Sequence, residues 1–225
     1  MANTTKTQIE IPQSVVEYTL TFESPVIPSG DARVETVTSV LAAMKPWGFS
    51  LDGLETKLRS DKANEHAYVF RRTVPARPAA SLALFYNKIF ISGENLDWEG
   101  ADEFIKTMSA GIEAVQGILR PKIASQNLVA GLHIQLKDRP TVDVVRPLLN
   151  AQAFKLIDGE TKFSGVIVTG QESNVIIEAS LVYANALWVR LFRDHSGGAT
   201  FQEIAEALRA DEERLFEVLG LEGIL

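Results

Sequence analysis

Stretches of period two and stretches of helical period follow one another along the chain, and the succession runs twice. Tyr18 to Phe22 (YTLTF) is apolar at every second position, the pattern of a strand with one buried face. Asp31 then opens ARVETVTSVLAAM, where Val34, Val37, Leu41 and Met44 make one helical stripe that Pro46 ends. In the second half Gly131 to Leu136 (GLHIQL) alternates and Thr141 stands as an N-cap. Val142, Val145 and Leu149 follow as a stripe that Pro147 kinks or shortens.

The pattern continues in parallel. FSLDGLETKL at 49–58 is matched by FKLIDGETKF at 154–163, so Glu-Thr-Lys returns with a Phe six residues before it. SLALFYNKIFIS centres on Asn87 and ASLVYANALWVRLF centres on Asn185, and Asn tolerates the backbone of tight hairpins. Each half closes with a helix. Phe104, Ile105, Met108, Ile112, Val115 and Leu119 recur at three- and four-residue spacing; Phe201, Ile204, Ala205 and Leu208 do so behind a capping box of Thr200 and Glu203. Asp211 is expected to restart a short helix carrying Leu215, Phe216 and Leu219.

The order predicts an α+β protein of two tandem β-α-β-β-β-β-α repeats related by a pseudo-twofold axis, an antiparallel sheet with helices on one face. Residues 1–14 then form an N-terminal extension, 15–123 the first repeat and 124–225 the second, together one compact unit. Glu-Thr-Lys reads as a register mark, with Leu51 and Leu156 inward and Glu55, Lys57, Glu160 and Lys162 on the solvent side or in cross-strand pairs.

Repeated twice, this order of elements resembles the saddle of the TATA-binding-protein-like fold. The stretches VVEYTLTF, NKIFISGENLDWEGADEFIKTM and LVAGLHIQL also resemble a sporadically distributed bacterial family of uncharacterised proteins. That family has no agreed catalytic residues, so the resemblance implies none here.

Composition narrows the chemistry. With 225 residues, 46% of them hydrophobic, the chain can bury a core. Its net charge of −7 repels a phosphate backbone. Arg71, Arg72 and Arg77 are the local basic cluster, and DEERLFEVLG, the second helix of a would-be helix-turn-helix, is acidic where a recognition helix is basic. Nucleic acid is therefore disfavoured. The absence of cysteine excludes disulfides, thiolate nucleophiles and Cys-containing metal sites. The polar start MANTTKTQIEIP has no signal pattern and no apolar run is long enough for a bilayer, so a cytoplasmic protein without membrane contact is expected. No G-x-G-x-x-G, P-loop or H-E-x-x-H occurs, and His66, His133 and His195 are scattered; neither a metal nor a cofactor is predicted.

One polar and aromatic set is drawn together by strand alternation. Opposite Leu132, Ile134 and Leu136 stand His133 and Gln135. Glu178 and Ser180 oppose Val175, Ile177, Ala179 and Leu181, while Trp188 and Arg190 oppose Leu187, Val189 and Leu191; Phe90 is the first-half counterpart of Trp188. Two functions fit the set. In the first, Phe90, Gln135, Ser180, Trp188 and Arg190 form an open sheet face on which a binding or assembly module docks a protein partner, a peptide or its own twin as a homodimer. In the second, His133 and Glu178 serve as acid and base in a cofactor-free enzyme of cyclase or isomerase type acting on a small apolar molecule. An enclosed pocket containing His133 favours chemistry, and a flat or covered sheet favours docking.

Overall fold

The computed structural model describes residues 6–26, 30–58, 66–74, 78–96, 98–148 and 165–223. Along them run β1 (Thr7–Phe22), α1 (Asp31–Met44), β2 (Phe49–Leu58), β3 (His66–Arg72), β4 (Ala80–Leu84), β5 (Lys88–Glu94) and α2 (Trp98–Leu119). Then come β6 (Ile123–Leu136), α3 (Thr141–Val145), β7 (Gly165–Thr169), β8 (Ser173–Ala179), β9 (Ala186–His195), α4 (Phe201–Leu219) and β10 (Leu221–Gly223). The class is α+β, as the periodicities predict. Among the described residues no helix is long and apolar enough to cross a membrane.

The chain divides into two compact units, and the division does not follow the boundaries read from the sequence. One unit holds Val15–Val129 and Asp194–Glu206; the other holds Met1–Ser14, Ala130–Arg193 and Ala207–Leu225. Residues 7–14, read from the sequence as part of an extension, are the first half of β1. They are held by contacts distant in sequence: Thr7, Gln8 and Ile9 pair in parallel with Leu221, Glu222 and Gly223 of β10, and Ile9 is buried.

In the unit of residues 15–129 the strand order is β2-β3-β4-β5-β1-β6. Tyr18, Leu20 and Phe22 of β1, Leu82 and Leu84 of β4 and Ile89 and Ile91 of β5 are buried at every second position, so one sheet face makes the core. Helix α2 packs close to this core through Gly111: a Cβ there would lie 2.7 Å from Met44 Sδ and 2.9 Å from Leu82 Cδ1. Phe104, Met108, Ile112 and Val115 of the expected stripe are buried, whereas Ile105 is half-buried.

Two expectations fail in this unit. Helix α1 runs from Asp31 to Met44 and gives way to a 3-10 turn, Lys45–Trp47, that holds Pro46, but its buried line is Thr36, Val40 and Met44 while Val34 is exposed. Thr36 can lie inside because its hydroxyl donates to Ala32 O at 2.7 Å. In β2, Leu51 is 71% exposed instead of inward. Pairing with β3 is irregular between Phe49 and Leu54, and this shifts the alternation so that Phe49 and Gly53 are the buried positions. Only glycine fits at Gly53, where a Cβ would stand 2.2 Å from Arg71 O. Glu55 does make the expected cross-strand pair, with Arg71 at 3.1 Å.

In the other unit the order is β6-β9-β8-β7, with the N-terminal part of β1 beside β6 through Lys137 N to Gln8 O at 3.1 Å. Ile177, Leu187, Val189 and Leu191 are buried on one face of β8 and β9. Arg193, on that same face of β9, makes a two-pronged bond to Asp211 of α4 at 2.7 and 2.9 Å. Asp211 is thus satisfied inside a helix, and α4 runs unbroken where a restart was expected; the helix-turn-helix reading goes with it. Thr200 N donates to Glu203 Oε2 at 2.8 Å and Glu203 N to Thr200 Oγ1 at 3.2 Å, the predicted capping box. Helix α3 is short, as Pro147 requires, but Pro140 and not Thr141 occupies its N-cap. The second Glu-Thr-Lys segment with Leu156, Glu160 and Lys162, as well as Leu149 and Arg77, lies outside the described residues.

Candidate functional site

Strand β8 ends at Ala179, and a six-residue turn, Ser180 to Asn185, leads into β9. Its organiser is Ser180. The hydroxyl oxygen accepts the amide protons of Val182 at 3.2 Å and Tyr183 at 3.0 Å, which draws the chain out of the strand path. Leu181, expected to continue the inward alternation, is therefore fully exposed, and Val182 is largely exposed beside it.

Ser180 Oγ also lies 3.0 Å from His133 Nδ1. With both lone pairs engaged by amides, the hydroxyl has only its proton to offer, so it donates and Nδ1 accepts; the imidazole proton sits on Nε2. His133 is 8% exposed, and burial holds its pKa below the ordinary histidine value. The ring is neutral near pH 7. Its faces are occupied by aromatic neighbours: Trp188 at 4.3 Å between centroids with planes 30° apart, and Tyr183 edge-on at 5.1 Å.

An open cleft of ≈ 410 Å³ lies here, lined by His133, Glu178, Ala179, Leu181, Val182 and Trp188. Of the seven residues singled out from the sequence, His133, Glu178 and Trp188 thus line one cleft, and Ser180 orients the first of them. Arg190 joins through Glu178, to which its Nη2 donates at 3.1 Å, while its Nε is buried without a partner among the described residues. Gln135 makes a long bond, 3.5 Å, to Ala184 O. Phe90 belongs to the other unit, where it packs with Phe85 against Val69 and Ala83.

The expected acid and base bond to separate partners. Glu178 Oε2 faces Arg190, and the His133 hydrogen bond goes to Ser180. A serine that accepts two amides and donates to Nδ1 is a turn cap, not an activated nucleophile. Leu181, Val182 and Tyr183 were missed by sequence reasoning; the available signal was the length of the Asn-centred turn, three residues in the first half (85–87) and six in the second. Among the described residues no three His, Cys, Asp or Glu side chains gather as metal ligands.

Arg71 and Arg72 of the basic cluster are also spent internally. Arg72, with a side chain only 4% exposed, donates to Glu103 at 2.8 Å and to Trp47 O at 2.7 Å, and Arg71 pairs with Glu55.

No family model matches the chain, and no curated protein matches it. Among solved structures it is similar to the class II 3-hydroxy-3-methylglutaryl-CoA reductase from Streptococcus pneumoniae bound to NADPH in open conformations, at 9% identity and a TM-score of 0.23. The match covers 95% of this chain and 62% of that one, so the chain spans less than two thirds of that protein's length. A likeness of this degree carries no argument about fold or activity.

Proposed function

We propose that the chain is a binding module, cytoplasmic in location, that docks an apolar side chain of a protein partner or peptide in the cleft beneath the 180–185 turn. One observation carries this: the turn holds Leu181 and Val182 out in solvent over a wall formed by Trp188 and His133. A Trp flanked by exposed aliphatic side chains is the composition of an interface anchor. The Nε2–H of a neutral His133 adds one hydrogen-bond donor to the cleft.

We infer further that the two halves are copies of one β-α-β-β-β-β-α repeat, of the kind found in the TATA-binding-protein-like fold. Strand order supports the inference, since β3-β4-β5-β1 in one half corresponds to β7-β8-β9-β6 in the other. So do the two asparagines: Asn87 O accepts from Phe22 N at 2.9 Å and Asn185 O from Leu136 N at 3.0 Å, each at the last residue of a long strand.

The test is a selection of random displayed peptides on the full chain, repeated with Trp188→Ala. Peptides with an apolar anchor that bind the parent and lose roughly a hundredfold or more on Trp188→Ala support docking. Concentration-dependent dimerisation abolished by Trp188→Ala would replace the partner with a second copy. A small apolar molecule converted by the parent but not by His133→Gln would replace docking with catalysis.

A further inference from the structure

A second cavity, of ≈ 270 Å³, lies wholly within the unit of residues 15–129 and 194–206, and the docking proposal makes no use of it. Ser109, Ile112, Glu113 and Gln116 line it from one face of α2, at the spacing that brings helical residues into register. Tyr18 and Leu20 line it from β1, and the loop 198–200 closes onto it ahead of α4.

That loop is fastened by Gln126, a side chain almost fully buried in β6. Its Nε2 donates to Ala199 O at 2.9 Å and its Oε1 accepts the Tyr18 hydroxyl. The Tyr18 hydroxyl and both polar atoms of the Gln126 amide are thus consumed in building the cavity. Ser109 Oγ is buried and has no partner among the described residues. Helical hydroxyls ordinarily return to the carbonyl four residues back, and here Thr36 does so to Ala32 O and Thr107 to Glu103 O, each at 2.7 Å. Ser109 does not, although it lies on the same helix as Thr107. Ser109 is also among the residues lining the cavity, so an occupant within reach of Oγ would answer this unmet hydrogen bond.

Charge narrows the occupant. Glu113 is the charged residue among those lining the space, and the N-terminus of α4 is already taken by the Glu203 carboxylate on Thr200 N. The charge an anion would meet among the lining residues is that of Glu113, which repels it. The aromatic pair Tyr18 and Phe201, 4.7 Å apart, with Leu20 and Ile112 supplies apolar walls.

We propose that this cavity is a binding site for a small uncharged molecule with an apolar body and a single hydroxyl or carbonyl group, which bonds to Ser109 Oγ. Titration of the full ¹⁵N-labelled chain with cyclohexanol tests it, with cyclohexanecarboxylate as the charged comparison. The expected result is saturable shifts at the Ser109, Gln126 and Ala199 amides with the alcohol and none with the carboxylate. Affinity should fall about fivefold in Ser109→Ala, the equivalent of one neutral hydrogen bond. Ile112→Trp, which fills the space from the same helix face, should abolish the shifts; if it does not fold, Gln116→Phe serves the same purpose. Absence of saturable shifts, equal binding of alcohol and carboxylate, or equal affinity in Ser109→Ala would each overturn the proposal.

Discussion

Phe85 to Asn87 closes the β4–β5 hairpin in three residues, whereas Ser180 to Asn185 takes six to close β8–β9. Both turns are tied to the end of a long strand through the asparagine carbonyl. In the short turn Phe85 N donates to Lys88 O at 2.8 Å, and Phe85 packs with Phe90 on Val69 and Ala83. The Lys88 ammonium caps the Phe85 ring at 5.0 Å, and the cluster is closed. In the long turn the extra residues circle a serine hydroxyl, and two aliphatic side chains stand in solvent beside a buried imidazole. A short turn folds its aromatic residue back onto the sheet; a longer one exchanges that closure for a cleft.

Replacing Ser180–Asn185 by Phe-Tyr-Asn imposes the short turn on the β8–β9 hairpin. It should remove peptide binding altogether, a loss of roughly a hundredfold or more by titration calorimetry, while circular dichroism shows the strands retained. Next in size are the two cores, which should not differ. Ile177→Ala and Ile91→Ala, both at fully buried positions, should each cost about 2–5 kcal/mol in urea denaturation. A large gap between them would show that one unit is poorly packed.

Ser180→Ala should cost about 1–3 kcal/mol, because two amides and an imidazole lose their partner. Ser81→Ala, which breaks a hydroxyl pair with Ser92 at 2.8 Å in the other unit, should cost about 1 kcal/mol or less. The smallest effect is a pH dependence. Burial lowers the His133 pKa in the folded chain, so on acidification the unfolded chain takes the proton first. The stability owed to neutral His133 is therefore complete above about pH 6.5 and is lost as pH falls through that value toward the folded pKa. Urea midpoints above and below that value should diverge less in His133→Gln than in the parent.

Local signals made much of this visible beforehand. The Thr200–Glu203 box, the start of α1 at Asp31, its end ahead of Pro46 and the alternation of Leu187, Val189 and Leu191 depend on neighbours within a few residues, and each stands as read. What sequence could not show depends on distant partners. Leu51 faces outward because pairing across β2 and β3 slips; α4 continues through Asp211 because Arg193 answers its charge. Leu181 leaves the strand because one hydroxyl competes for two amides. Alternation alone draws His133, Ser180, Glu178 and Trp188 together but not their pairing, since it assigns a face and says nothing of which neighbour a carboxylate selects.

Leu181→Asp gives the most direct test of the docking cleft, since Leu181 is fully exposed and its side chain contributes nothing to the core. Calorimetric titration with a selected peptide should show affinity reduced at least about tenfold, with the melting curve unchanged. Unchanged affinity in Leu181→Asp would place the binding surface elsewhere and contradict the cleft as the working site.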